Sequence, residues 1–262
     1  MTLPFVISIP HCSARVPEEI QATLALNDQQ IIESVDFGTQ EIFGSLPAQA
    51  TVMAQWSRLM VDLNRGPLET GPKGVAALAD YHGRSIYKQG AAPDQEILAE
   101  RVTRFHHPYH DQVAHALGNA NAIGLIDSHS LNGTGPADAP DPGKRRKDVV
   151  LSNNGDSSGA PRKGFGSTSC SPKRLHRFKA AFQRQGLSVS MNAPYQGGYT
   201  VKHYGQQLVK EGRFAVQIEL NQDLYMHPGN LTPQAHRTET VAQQVLAALE
   251  EVAAVILTGD GS

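Results

Sequence analysis

Cysteine is scarce in this chain of 262 residues: Cys12 and Cys170 are the whole complement. A disulfide-stapled fold and a zinc site built on cysteine pairs are both excluded, so any bound metal must draw on His, Asp and Glu. Charge of either sign is not in excess, with 23 Lys and Arg against 25 Asp and Glu. A dedicated nucleic-acid binder would show a basic surplus. No unbroken run approaches the roughly 18 apolar residues of a spanning helix. The N-terminal apolar run is interrupted by Pro4 and Pro10 and lacks a basic leader. The expectation is a cytoplasmic protein that partners neither nucleic acid nor membrane.

What is present is an ordinary globular composition, 40% hydrophobic and 18% charged, with 11 histidines. The length supports a substantial core. Strand-like and helix-like segments alternate. Phe5–Ile9 is a short apolar run closed by Pro10, as in a buried strand. Pro17 followed by Glu18 and Glu19 starts a helix, and Asn27 or Asp28 caps the next, which carries Ile31, Ile32, Val35, Ile42 and Phe43. Apolar runs at 51–54 and 59–63 follow, the second leading into Asp62-Leu-Asn-Arg65. Residues 94–120 are mostly helical, kinked or split at Pro108. Ile123–Asp127 reads as a strand.

Residues 131–170 break the pattern, with seven Gly, four Pro and the basic run Lys144-Arg-Arg-Lys147. An irregular insertion around a short strand at 149–151 is expected there. Ser171 caps a helix to about Gln185, 187–191 and 214–220 read as strands, and Thr232 caps a last amphipathic helix to about Val255. The expectation is a single domain over 1–262, a three-layer α/β/α fold with a mainly parallel mixed sheet.

Ligands in such sheets sit beyond the carboxyl ends of the strands. Four apolar runs end there in groups able to do chemistry: His11, Asp62 to Arg65, Asp127 to Ser130, and Glu219. Two imidazoles, His11 and His129, with one carboxylate would bind zinc and leave a position open for water. Asp127, two residues before His129, suits an acceptor that fixes its tautomer. Taken singly each residue has a plainer reading, as a hydrogen-bonded core histidine or a surface acid. Their coincidence at four run ends raises the metal reading to a serious rival.

The motifs Ile7-Ser-Ile-Pro-His11, Ser57-Arg-Leu-Met-Val-Asp-Leu-Asn-Arg65, Pro108-Tyr-His110, Asp127-Ser-His-Ser130, Asn192-Ala-Pro-Tyr-Gln-Gly-Gly-Tyr199, His203-Tyr-Gly205 and Val216-Gln-Ile-Glu-Leu220 with Leu224-Tyr-Met226 follow one another in a specific order. In that ordered set the chain resembles the N-formylglutamate amidohydrolase family, relatives of the zinc carboxypeptidases and aspartoacylases. The resemblance implies a zinc-exopeptidase-like fold and a zinc-dependent hydrolase, with another divalent metal as an alternative. Its substrate would be a small anionic N-acyl amino acid such as N-formyl-L-glutamate. The implied metal ligands are His11, Asp36 and His129, and the implied general base is Glu219. Asn64 and Arg65 match a pair that grips a substrate carboxylate or polarises the scissile carbonyl. Gly198 would let backbone approach the ligand, with Thr200 and His203 as polar contacts. Two departures stand out: Asp36 is followed by Phe37-Gly38 where relatives carry Trp-His, and Pro10-His11-Cys12-Ser13 lacks the usual glycine.

Other features have plainer readings. Cys12 lies beside His11, but adjacent strand residues face opposite ways, against a Cys-His pair. His106 and His110, spaced i, i+4, form a possible second metal pair that lacks an acid. The Lys144–Lys147 run is a solvated loop face or a lure for an anionic substrate. The glycine-rich stretch 155–166 lacks the Gly-Lys-Ser/Thr ending of a phosphate loop.

Overall fold

The computed structural model describes residues 2–227 and 232–258. Its elements are β1 (Leu3–Ile9), α1 (Glu18–Gln21), α2 (Asp28–Ile32), α3 (Thr39–Phe43), β2 (Ala48–Met53), α4 (Gln95–Arg101), α5 (His107–Leu117), β3 (Gly124–Leu131), β4 (Val149–Ser152), α6 (Pro172–Arg184), β5 (Val189–Met191), α7 (Tyr199–Lys210), β6 (Phe214–Asn221) and α8 (Ala235–Leu257). A π-helical stretch, Val102–His106, joins α4 to α5, and a 3-10 turn, Gln222–Leu224, follows β6.

The strands form one sheet in the order β2-β1-β3-β6-β4-β5. The first four run parallel; β4 is antiparallel to β6 and parallel to β5. The expected three-layer architecture with a mainly parallel mixed sheet is therefore present. Alternation along each strand builds the layers. Phe5, Ile7, Ile126, Phe214, Val216 and Ile218 pack with α3, α6 and α8. Val6, Leu125 and Ala215 pack on the opposite face with α5 and α7.

Three local expectations are corrected. The helix expected through Ile31 to Phe43 is two, α2 and α3, because Gly38 turns the chain at φ +77° against the Tyr225 ring. The run 59–63 forms turns rather than a strand. The last helix starts at Ala235 with Gln234, not Thr232, at its N-cap. Asn27 does cap α2, and its side chain and that of Gln30 bond reciprocally.

By length and composition α8 is the one described helix able to cross a membrane. Val241, Val245, Ala248 and Val252 recur on one face and are buried against the rest of the core, so that face is already occupied.

Candidate metal centre and active site

The chain reverses direction in the sheet at β1, with β2 on one side and β3 on the other, which makes the ends of β1 and β3 a topological switch point. His11 lies in the turn after β1. Strand register then assembles the rest. Ser8 pairs with Asp127, Asp127 with Gln217, and His129 with Glu219. All five lie in step with Val6, Leu125 and Ala215, on the α5–α7 face of the sheet. Asp36 reaches the same place from between α2 and α3. Its N–H donates to the His11 carbonyl at 2.9 Å, and its Oδ2 accepts from the Ser130 N–H at 3.3 Å.

The two imidazoles meet edge to face, with ring centroids 4.8 Å apart. Their Nδ1 atoms converge on one oxygen, Asp36 Oδ2, at 3.4 Å from His11 and 3.0 Å from His129. Their Nε2 atoms point away toward outer carboxylates: His11 to Asp62 Oδ1 at 2.8 Å and His129 to Asp127 Oδ2 at 3.0 Å. Ser8 donates to the other oxygen of Asp127 at 2.9 Å. Ligand atoms of His11, Asp36 and His129 lie within 4.8 Å of one another, and all three residues are buried. His11 Nδ1 is buried without a hydrogen-bond partner. An orphaned imidazole nitrogen, facing a carboxylate and backed by an acid on its far side, fits a ligand for a divalent cation.

The electrostatics agree. Burial would raise Asp36, but His11 and His129 hold its carboxyl well below the usual range. Asp62 is likewise buried, and Arg58 and His11 keep it ionised. Burial would lower His129, yet Asp127 and Asp36 carry it well above an ordinary histidine. Glu219, 8% exposed, is pushed up to about 7 by burial, against the pull of His129. A single oxygen of Glu219 is held by the Gln217 side-chain amide at 2.8 Å.

A cavity of about 600 Å³ opens over this group, lined among others by His11, Asp36, Asn64, Arg65, Gly198 and Glu219. The expected Asn64 is there, but its side chain is engaged. Oδ1 accepts the Thr200 N–H at 2.9 Å, and Nδ2 lies 3.0 Å from His129 Nε2. Gly198 gives its N–H to Gln217 at 2.8 Å, and a Cβ there would collide with the Asn64 amide. Thr200 and His203 do not line the cavity. Thr200 is fully buried behind Asn64, and His203 stacks on Tyr199 at 4.8 Å.

Arg58, Tyr81, Tyr195 and Lys202, none with a role read from the sequence, also line the cavity, as does Arg146 of the basic run. The spacing of Arg58 and Asp62, i and i+4, was the available signal. Of the basic run only Arg146 turns inward. The rival readings fall away. Cys12 Sγ donates to the Ile9 and Ala54 carbonyls, and burial pushes the thiol up to about 11. His106 and His110 use Nε2 on the Arg65 and Leu63 carbonyls, at 2.9 and 2.8 Å. They brace the Asp62–Arg65 turn instead of pairing on a metal.

Residues 3–226 match the sequence profile of the N-formylglutamate amidohydrolase family. The chain belongs to that family. It is 29% identical over 262 residues to the N-formylglutamate deformylase of Pseudomonas aeruginosa, across 95% of this chain and 91% of that one. Against the deformylase of Pseudomonas putida the figure is 27% over 270 residues, across 94% and 92%. Among solved structures, an N-formylglutamate amidohydrolase from Ralstonia eutropha superposes with a TM-score of 0.69 at 19% identity, covering 96% of this chain and 94% of that one. A gene product of Agrobacterium tumefaciens superposes at 0.67 and 18%, covering 97% and 91%. At such identities these two establish the fold, which this chain shares with an N-formylglutamate amidohydrolase.

Proposed function

We propose that this family member is a metal-dependent amidohydrolase that cleaves N-formyl-L-glutamate, or a close N-acyl amino acid, to formate or another small acid and the free amino acid. The names of the curated relatives support the substrate. The observation that carries the chemistry is the buried His11–Asp36–His129 group, with its orphaned His11 Nδ1, beside the buried carboxyl of Glu219.

His11, Asp36 and His129 would hold the cation, and two imidazole nitrogens with one carboxylate oxygen suit zinc or a similar divalent ion. Bound there, it supplies a Lewis acid that polarises the scissile carbonyl and acidifies water. Glu219 takes the proton of the attacking water and returns it to the leaving amine. Burial favours the protonated form of its carboxyl, which suits a group that must both take up and release a proton. Gln217 holds one Glu219 oxygen, leaving the other toward the cavity. Asp62 and Asp127 accept from the outer nitrogens of the two histidines and fix their tautomers. Asn64 positions rather than binds: its Oδ1 accepts the Thr200 N–H at the start of α7, with its amide nitrogen packed beside His129 Nε2. Arg65, whose guanidinium bonds only to backbone carbonyls among the described residues, lines the cavity and is able to fork onto the substrate α-carboxylate.

Metal analysis of purified protein, then formate release from N-formyl-L-glutamate by the wild type and by Glu219→Gln, tests this. Stoichiometric metal and an inactive variant are expected; undiminished turnover by the variant removes the base assignment.

A further inference from the structure

Four Arg and Lys side chains line the cavity, and their partners divide them. Arg58 sits between Asp62 and Asp36, at 2.6 and 3.5 Å. Arg146 gives two N–H groups to Asp141, at 2.8 and 2.6 Å, and a third to the Tyr195 hydroxyl at 3.1 Å. Both charges are thereby neutralised within the protein. Among the described residues Arg65 donates only to the Lys73 and Asn64 carbonyls. The Lys202 ammonium makes no hydrogen bond or ion pair among the described residues, and no carboxylate lies within 4.0 Å of either group. Glu69 is the acid that shares this wall, and its Oε1 already accepts the Gly66 N–H at 2.7 Å.

Two cations with no carboxylate partner among the described residues, on one wall of the cavity, suit an anionic group. Lys202 stands in the first turn of α7, where the helix dipole adds positive potential.

Depth orders the groups. His11, Asp36 and His129 are buried, Arg65 is half-buried and Lys202 is exposed. A substrate entering amide-first therefore meets Arg65 with the carboxylate nearest its amide and Lys202 with whatever its side chain carries. We propose that Lys202 is the specificity-determining residue for an acidic side chain, its ammonium taking the distal carboxylate of an N-acyl dicarboxylic amino acid. The assignment rests on the amidohydrolase reading above.

The test uses the zinc-loaded full chain and compares kcat/KM for N-formyl-L-glutamate and N-formyl-L-glutamine, which differ only at the distal carboxylate. Lys202→Met should lower the glutamate-over-glutamine ratio by about 10- to 100-fold, the range for a lost charge-assisted hydrogen bond. Lys202→Arg should keep most of the ratio. An unchanged ratio in Lys202→Met, or equal loss on both compounds, overturns the assignment while leaving the hydrolase reading intact. A wild type that cleaves neither compound overturns that reading, and the assignment with it.

Discussion

His129 and Glu219 sit directly opposite one another on neighbouring parallel strands, β3 and β6, with both side chains on the α5–α7 face of the sheet. The imidazole proposed as a metal ligand and the carboxyl proposed as the proton acceptor are thus set side by side by backbone register alone, with no loop needed to bring them together. A slip of one residue would send Glu219 to the opposite, apolar face.

That placement makes Glu219 the most sensitive position in the cavity. Glu219→Gln keeps the shape and the Gln217 contact but removes the proton acceptor. Turnover, followed as formate release, should fall by about 100- to 10,000-fold with KM changed only slightly. Metal content should be retained, because Glu219 is not among the converging ligand atoms.

The outer carboxylates should act on the metal rather than on the proton. Asp62→Asn leaves His11 Nε2 without its anionic acceptor and Arg58 without its closer partner. Zinc affinity, measured by competition with a chromogenic chelator, should drop by about 10- to 100-fold. Excess zinc should restore much of the activity, whereas His11→Ala should be beyond such rescue.

Much of this was legible in the residues, for a physical reason. A ligand-bearing strand end is an apolar run that stops at a polar group, so His11, Asp127, His129 and Glu219 all stand out locally. Asp36 was reached only through the family resemblance, because it lies between two short helices where no periodicity points to it. Arg58 and Lys202 escaped notice, and Arg146 stood out only as one of a basic run, because an inward-facing cation looks like a solvated one until its partners are known. Thr200 and His203 were expected in the cavity from nearness to Gly198, yet in the first turn of α7 only Tyr199 and Lys202 face it.

The loss of stability with rising pH should steepen when metal is removed. In metal-free protein Glu219 has its carboxyl raised from 4.5 to about 7, so the folded state holds a proton the unfolded chain has released. Stability then falls as pH rises from about 4.5 to 7, by about 3 kcal/mol from this group. His129, raised above 6.5, extends the decline to higher pH. Zinc competes with the proton on His129, so its stabilisation grows over the same range. Melting temperatures from pH 5 to 8 should fall in chelator, and the gap between zinc-loaded and chelated protein should widen.

Gly198→Ala should damage activity by a route distinct from either metal or base. Gly198 has an ordinary extended backbone, so alanine is conformationally acceptable there. The obstacle is space: its Cβ would run into the Asn64 amide. Asn64 cannot retreat without releasing the Thr200 N–H and its position beside His129. The overpacking should cost about 1 to 3 kcal/mol of stability and lower kcat/KM at least tenfold, with metal stoichiometry retained. Shortening the obstructing side chain tests the cause. In the double variant Gly198→Ala/Asn64→Ala, stability should recover toward that of Asn64→Ala alone, while activity stays low because His129 has lost its neighbour. Additive losses in a double-mutant cycle would show that the collision with Asn64 is not what limits this position.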